Sequence, residues 1–407
     1  MAATMDDKPK KLKVAVASYG DPRSVSTWSG IPAHIIAELE KQHFEVISIA
    51  LKVPVEPWYY NWLRRWHWRV SKKWFLSSVD KKFLEDIGRQ MDWHVQQNNP
   101  DIVLTIYADI LAYVTFSQPA CSVHDATFAG VLNYYTSFTS LTDRSERSGN
   151  DMYRRALLRA DAAVFSSEWA SKSAINDYSA SPEKVFTIPL GANINHIPSN
   201  EEVGAWKTKR LESVECNLLF VGVDWERKGG PFALRFVEEL NKLKIKAHLT
   251  IVGVDPDIPA HQLSYAKKVG FLDKKKPSDV EEFNKLFFEA SALLLPSEAE
   301  CYGCVYCEAN AFGLPALGRD TGGVGEIIKD NINGLLVGES ESAEDFAKRW
   351  AGLWMDKKKY AEMLNLSRIE FEQRLNYEVF VKNLTEVFEN IIYLHTYGNT
   401  KKNIKIE

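Results

Sequence analysis

Pro296–Glu326 reads PSEAECYGCVYCEANAFGLPALGRDTGGVGE. An apolar run, Ala292–Leu295, leads into it, and Gly313 and Pro315 close a helix-forming stretch, Gly303–Ala311. The pattern is strand, turn, helix, with Glu300 in the turn and Glu308 on the helix. Cys301, Cys304 and Cys307 share the segment. Either the thiols hold a metal, or the carboxylates and backbone carry the chemistry and the cysteines pack as small apolar residues. A C-x2-C-x2-C triad needs a fourth ligand to close a zinc or iron–sulfur site, and the sequence suggests none. The second reading is therefore preferred, with no metal. N–H groups around Gly303, Cys304 and Val305 would then face an anion. Glu308 could accept two hydrogen bonds from a ribose diol, and Glu300 could contact a sugar.

The same strand–helix alternation runs through the chain. Apolar strands are predicted at Lys13–Ser18, Val46–Ala50, Ile102–Ile106, Ala163–Ser166 and Val185–Ile188, with helices at Ile31–Gln42, Phe83–Gln97, Glu146–Arg159 and Glu168–Tyr178. Gly191–Glu215 is polar and reads as a linker. The alternation then resumes, with strands at Leu218–Val221, Ala247–Val252, Ala292–Leu295, Ala316–Gly318 and Gly334–Val337. Helices fall at Gly230–Leu243, Ser278–Ala290 and Gly323–Asp330, and then at Lys357–Arg374 and Tyr377–Leu394 in a helical tail from Ser342. Continuous apolar strands between helices imply parallel sheets covered on both faces. The expected fold is α/β: two doubly wound domains, 1–195 and 196–375, facing a cleft, followed by a helical tail that ends in 376–407.

Bulk properties narrow the function. With 407 residues, two domains are the natural expectation. Hydrophobic residues make up 45%, and no apolar run reaches membrane-spanning length. A net charge of −4 gives no general attraction to nucleic acid. Five cysteines, and no signal-like apolar core in the charged opening residues, point to the cytoplasm.

Ligands in doubly wound sheets bind beyond the carboxyl ends of strands. Neither G-x-G-x-x-G nor G-x-x-x-x-G-K-[ST] occurs there, which argues against a nicotinamide enzyme and a P-loop ATPase. The first strand is followed by a small-residue loop ending in Ser29-Gly30. The first strand of the second half is followed by Arg227-Lys228-Gly229-Gly230 and a helix, an arrangement suited to an anion. Asp255-Pro256-Asp257 spells Asp-x-Asp, which can bind metal, but reads here as a turn.

These residues together resemble retaining glycosyltransferases of family 4. The family frame E-G-F-G-x-x-x-x-E-A-x-A-x-G-x-P is matched by ECYGCVYCEANAFGLP, Glu300–Pro315, followed by TGGVGE and NINGLLV; VFSSEWA and VFTIPLGANI also fit. The resemblance implies the GT-B fold, with 376–407 crossing back onto the first domain, and a hexose moved with retention from a UDP- or GDP-sugar to a hydroxyl acceptor in glycan biosynthesis. No cofactor beyond the nucleotide-sugar co-substrate is implied. It places Glu300 at the transferred sugar, Glu308 at the ribose, and Lys228 at the departing diphosphate. Arg227 stands in for an arginine the family often carries where this chain has Val223. Ser29-Gly30 replaces a Gly-Gly loop, and His124, with Asp125 beside it, falls where a histidine lies near the sugar. A non-catalytic sugar-nucleotide-binding or scaffold protein of the same fold is the alternative.

One stretch stands outside this frame. Trp58–Trp74, WYYNWLRRWHWRVSKKW, mixes tryptophans at helical spacing with arginines and lysines. The preferred reading packs an aromatic face on the first domain while the cations reach outward. The other makes the stretch a docking surface for anionic lipid or a bulky glycan, peripheral to a membrane.

Overall fold

The computed structural model describes residues 11–403. The charged opening residues, expected to hold no signal-like core, lie outside them, as do the last four residues of the expected 376–407 segment. The chain divides into two compact units. Unit 1 takes the described chain through Phe165, then Ser173–Phe186, and again from Val381; unit 2 holds Ser166–Lys172 and Thr187–Phe380.

Unit 1 is built on six strands: β1 Lys13–Tyr19, β2 Glu45–Leu51, β3 Ile102–Thr105, β4 Ala120–His124, β5 Ala162–Phe165 and β6 Val185–Thr187. They lie in the order β2-β1-β3-β4-β5-β6. Strands β1, β3, β4 and β5 are almost wholly buried, as expected for strands with helices on both faces. Residues beyond Val381 complete this unit: Phe388 meets Phe44 edge-on with ring centroids 6.4 Å apart, and Thr385 Oγ1 donates to Gln42 Oε1 at 3.5 Å.

Unit 2 repeats the plan with β7 Glu215–Val221, β8 Lys246–Val252, β9 Ala266–Gly270, β10 Ala292–Leu295, β11 Ala316–Arg319 and β12 Gly334–Val337. Their order is β12-β11-β10-β7-β8-β9, and every neighbouring pair is parallel. Each sheet therefore reverses strand order once, between β1 and β3 in unit 1 and between β7 and β10 in unit 2. Loops leaving adjacent strands towards opposite faces open a crevice at such a point.

Three expectations need correction. The expected linker contains a helix, Asn200–Glu212, started by a reciprocal capping box between Ser199 and Glu202. Arg210 on that helix is buried and donates to the carbonyls of Phe287, Ala290 and Phe312 at 2.9–3.0 Å, tying the helix to the sheet layer. The helix expected at Gly323–Asp330 is confined to Val324–Ile327. The tryptophans of helix Tyr59–Ser71 do not form a packed face: only Tyr60 on that helix is buried, while Trp62, Trp66 and Trp68 are exposed.

Candidate active site

The crevice of unit 2 is built by two loops. The one after β7 carries Arg227 and Lys228, and the one after β10 carries Glu300. Lys228 is ion-paired with Glu300, and their side chains are only 12% and 10% exposed. Ser297 Oγ donates to the same carboxylate oxygen at 3.3 Å. Arg227 donates to Ala299 O at 2.9 Å and places Nη1 3.9 Å from Glu300 Oε2. The loops are fastened by the Glu298 N–H, which donates to Arg227 O at 2.8 Å.

Glycine permits this closeness. Gly229 has φ +76°, and a Cβ there would lie 2.1 Å from Pro296 O. Gly303 has φ +93°, and its Cβ would lie 2.5 Å from the Tyr306 ring and 3.2 Å from Glu300 Cγ. A side chain at either position would both strain the backbone and push the loops apart. Each glycine also caps a helix, Gly230–Lys242 and Cys304–Ala311, so two positive helix ends accompany the two cations. Gly303, Cys304 and Val305 are half-buried.

Glu308 lies one helical face further in and is 3% exposed. Burial raises its carboxyl pKa, and the nearby Lys274 ammonium opposes that rise. Lys274 Nζ donates to Glu308 Oε1 at 2.7 Å and to Asn193 O at 3.2 Å. Asn193 is held by Tyr377, whose hydroxyl donates to Asn193 Oδ1 at 2.6 Å. Asn193 Nδ2 is buried without a hydrogen-bond partner among the described residues. A buried orphan donor is costly, and a ligand's acceptor atom would relieve it. Neither Lys274 nor Asn193 stood out in the sequence: one sits in a lysine run and the other in the supposed linker.

The crevice of unit 1 has different chemistry. Tyr19, the last residue of β1, donates its hydroxyl to Asp109 Oδ2 at 2.6 Å. Its ring lies 5.3 Å from that of Tyr107, which in turn lies 5.7 Å from Trp28. Burial pushes the Asp109 carboxyl up to about 6, against the Tyr19 bond that lowers it. The Tyr107 phenol is pushed up to about 12 by burial and then by the charges of Asp109 and Asp125. Trp28, Ser29 and Gly30 run consecutively at φ 40°, 58° and 88°. Left-handed backbone at two successive non-glycine residues is strained, and such strain gathers at ligand sites. Ser29 is exposed beside this cluster and Gly30 is buried.

His124 ends β4, but its side chain turns inward. It is 4% exposed, stacks 5.0 Å from Phe165, and shares a 2.7 Å hydrogen bond with Ser122 Oγ. Burial lowers its pKa to about 3, so the ring is neutral. Of the residue pair proposed from the sequence, Asp125 is near enough for its charge to act on the Tyr107 phenol, and His124 packs in the unit.

Among the described residues, no three His, Cys, Asp or Glu side chains gather as a metal-binding group. Cys301 and Cys307 are buried and Cys304 is half-buried, with Cys307 Sγ 3.5 Å from Leu190 O. Asp255 is ion-paired with Lys268.

Residues 208–368 match the family model described as Glycosyl transferases group 1. A D-inositol 3-phosphate glycosyltransferase of Nocardia farcinica is 25% identical over 222 residues, covering 52% of this chain and 48% of that protein. The corresponding protein of Corynebacterium aurimucosum is 27% identical over 241 residues, covering 55% and 56%. The chain thus spans about half the length of these curated relatives. Solved structures match more completely. Sucrose-phosphate synthase (tll1590) from Thermosynechococcus elongatus aligns over 94% of this chain and 99% of its own, with TM-score 0.67 and 16% identity. Anabaena Alr3699/HepE in complex with UDP and glucose aligns over 93% and 100%, with TM-score 0.60 and 14% identity. The chain has the GT-B fold of these structures, and its second unit carries a segment that matches the group 1 glycosyl transferases.

Proposed function

We propose that the chain is a retaining glycosyltransferase of the family 4 type. It moves a hexose from a UDP- or GDP-sugar to a hydroxyl acceptor, and needs no divalent metal. One observation carries this reading: Lys228 and Arg227 are held against Glu300 where unit 2 reverses its strand order. The Anabaena protein was solved in complex with UDP and glucose, which makes UDP-glucose the first donor to try.

In the reaction, the bond between the anomeric carbon and the diphosphate oxygen breaks, and its electron pair leaves with the diphosphate. The acceptor oxygen attacks that carbon from the same face and gives its proton to the departing phosphate. Lys228 and Arg227, with the helix ends at Gly229 and Gly303, stabilise the growing negative charge. Once the diphosphate draws Lys228, Glu300 can accept hydrogen bonds from the sugar hydroxyls as a positioning carboxylate. Glu308 takes the ribose diol, sharing its charge with Lys274, and Asn193 Nδ2 supplies a donor to the nucleotide.

The acceptor belongs to unit 1's crevice in this reading. Three aromatic rings beside Asp109 and Asp125 suit the apolar face and hydroxyl edge of an uncharged sugar. A phosphorylated acceptor, such as the inositol phosphate in the relatives' names, would meet two carboxylates, and like charges brought together cost several kcal/mol.

The test is release of nucleoside diphosphate from UDP- and GDP-sugars across neutral and phosphorylated acceptors. Turnover on neutral glycosides supports the reading. Tight nucleotide binding without turnover on any acceptor would favour a binding or scaffold role, and turnover restricted to phosphorylated acceptors would overturn the acceptor assignment.

A further inference from the structure

Helix Tyr59–Ser71 has two unlike sides. Its inner side is anchored: Tyr60 is 3% exposed and meets Phe75 with centroids 5.3 Å apart, His67 stacks on Phe75 at 6.2 Å, and Arg64 pairs with Glu56. Its outer side is apolar and cationic together. Trp58, Trp62 and Trp66 are 84%, 60% and 47% exposed. At 100° per residue, these three and the exposed Arg65 and Arg69 fall within an arc of about 100°. Trp62 and Trp66 stack with centroids 6.3 Å apart, so their rings present one surface.

The next turn extends the patch. Trp68 and Trp74, both exposed, stack at 4.5 Å, and Lys72 lies over the Trp68 ring at 5.5 Å. Between Pro57 and Asp80 there are five cations, Arg64, Arg65, Arg69, Lys72 and Lys73, and no Asp or Glu, in a chain whose net charge is −4. Arg65 and Arg69 have no ion-pair partner among the described residues. Five exposed indoles would be an aggregation liability on an ordinary water-facing surface.

We propose that this helix is a docking surface for an anionic lipid bilayer, lying in the plane of the headgroups. Tryptophan favours the boundary between headgroup and acyl chain, where its ring is apolar and its N–H finds acceptors. Arginines on the same side of the helix then meet lipid phosphates, each worth about 1 kcal/mol. A helix of 13 residues lying flat, about 20 Å long, presents the three tryptophans and two arginines of that arc at one depth. No helix among the described residues is long and apolar enough to cross a membrane, so attachment through this surface would be peripheral and reversible. The charge selects lipid over a neutral glycan, which the indoles alone could stack upon. The proposal is independent of glycosyl transfer.

The full chain is co-sedimented with vesicles of phosphatidylcholine alone and of phosphatidylcholine mixed with phosphatidylglycerol. Binding is expected only to the mixed vesicles, accompanied by a blue shift of tryptophan emission and weakened by salt. Replacing Arg65 and Arg69 together by glutamine should lower the vesicle partition coefficient about 30-fold, from two charges at about 1 kcal/mol each. Trp62→Ser with Trp66→Ser should shrink the blue shift and weaken binding, with thermal unfolding unchanged because these side chains face water. A structural role would lower the unfolding temperature instead. No binding to either vesicle, equal binding to both, or binding that survives both double substitutions would overturn the proposal. So would saturable binding to soluble glycans that the tryptophan substitutions remove while vesicles are ignored.

Discussion

The crevice of unit 1 and the crevice of unit 2 occupy equivalent places in their sheets and hold opposite chemistry. Both open where the strand order reverses, at β1/β3 and at β7/β10. The second brings two cations and a buried carboxylate between glycine-capped helices. The first brings a row of three aromatic rings, one of them hydrogen-bonded to a carboxyl raised to about 6. Architecture thus decides where a ligand can sit, and the residues on the strand ends decide which one. A diphosphate suits the second crevice and a neutral ring with hydroxyls suits the first.

The largest expected effect comes from emptying the cationic crevice. Lys228→Ala should lower kcat for sugar transfer roughly 100- to 1000-fold, the cost of losing a preorganised contact to a developing anion. A steady-state assay of nucleoside diphosphate release checks this; a kcat within a few-fold of the parent would break the contrast. Because Lys228→Ala also leaves Glu300 buried without its main partner, a modest fall in unfolding temperature should accompany it. Glu308→Ala should act on affinity instead. A lost charged hydrogen bond is worth about 1.5–3 kcal/mol, so calorimetry with UDP and GDP should show both weakened by roughly 10- to 100-fold while kcat moves little.

Smaller effects belong to unit 1. Asp109→Asn removes a charge while keeping the shape, so it should narrow discrimination against phosphorylated acceptors by roughly tenfold, equivalent to about 1.4 kcal/mol. The ratio of kcat/KM for a neutral acceptor and its phosphate reads this directly; an unchanged ratio would place acceptor recognition elsewhere. His124 gives the smallest effect, none at neutral pH. Its folded pKa of about 3 lies below the ordinary 6.5, so between those values the unfolded chain binds the extra proton. Stability from this group is therefore complete above pH 6.5 and declines as pH falls, with a slope of up to about 1.4 kcal/mol per pH unit. Asp109, raised from 3.8 to about 6, acts in the opposite sense: its contribution weakens as pH rises between those values. Comparing the parent with His124→Asn in unfolding titrations isolates the histidine, and identical acid profiles would contradict its buried neutral state.

The strands that were legible were the apolar ones. β10 and β12 match their expected bounds, and helix Glu168–Tyr178 does as well. Two strands escaped. β4, Ala120–His124, mixes Cys, Ser and His among its small residues, and β9, AKKVG, is a lysine-bearing edge strand whose charge blunts further pairing. The helix Asn200–Glu212 was legible in principle from Ser199-x-x-Glu202, but its polar surface hid it: Val203 and Arg210 are its only buried residues. Exposure of the tryptophans was beyond reading, because helical spacing shows which residues share a side and not which side meets protein.

Glu300 and Glu308 could be placed by local pattern alone, since a strand, a turn and a helix with Gly313 and Pro315 behind it are short-range features. Those features also determined the alternation of strands and helices, and hence the parallel sheets. Tertiary structure alone decided the partners: Lys228 for Glu300 across 72 residues, Lys274 for Glu308 across 34, and Asp109 for Tyr19 across 90. Spacing along a chain carries no information about strand order, and the Lys228–Glu300 and Tyr19–Asp109 contacts join loops on either side of the point where that order reverses.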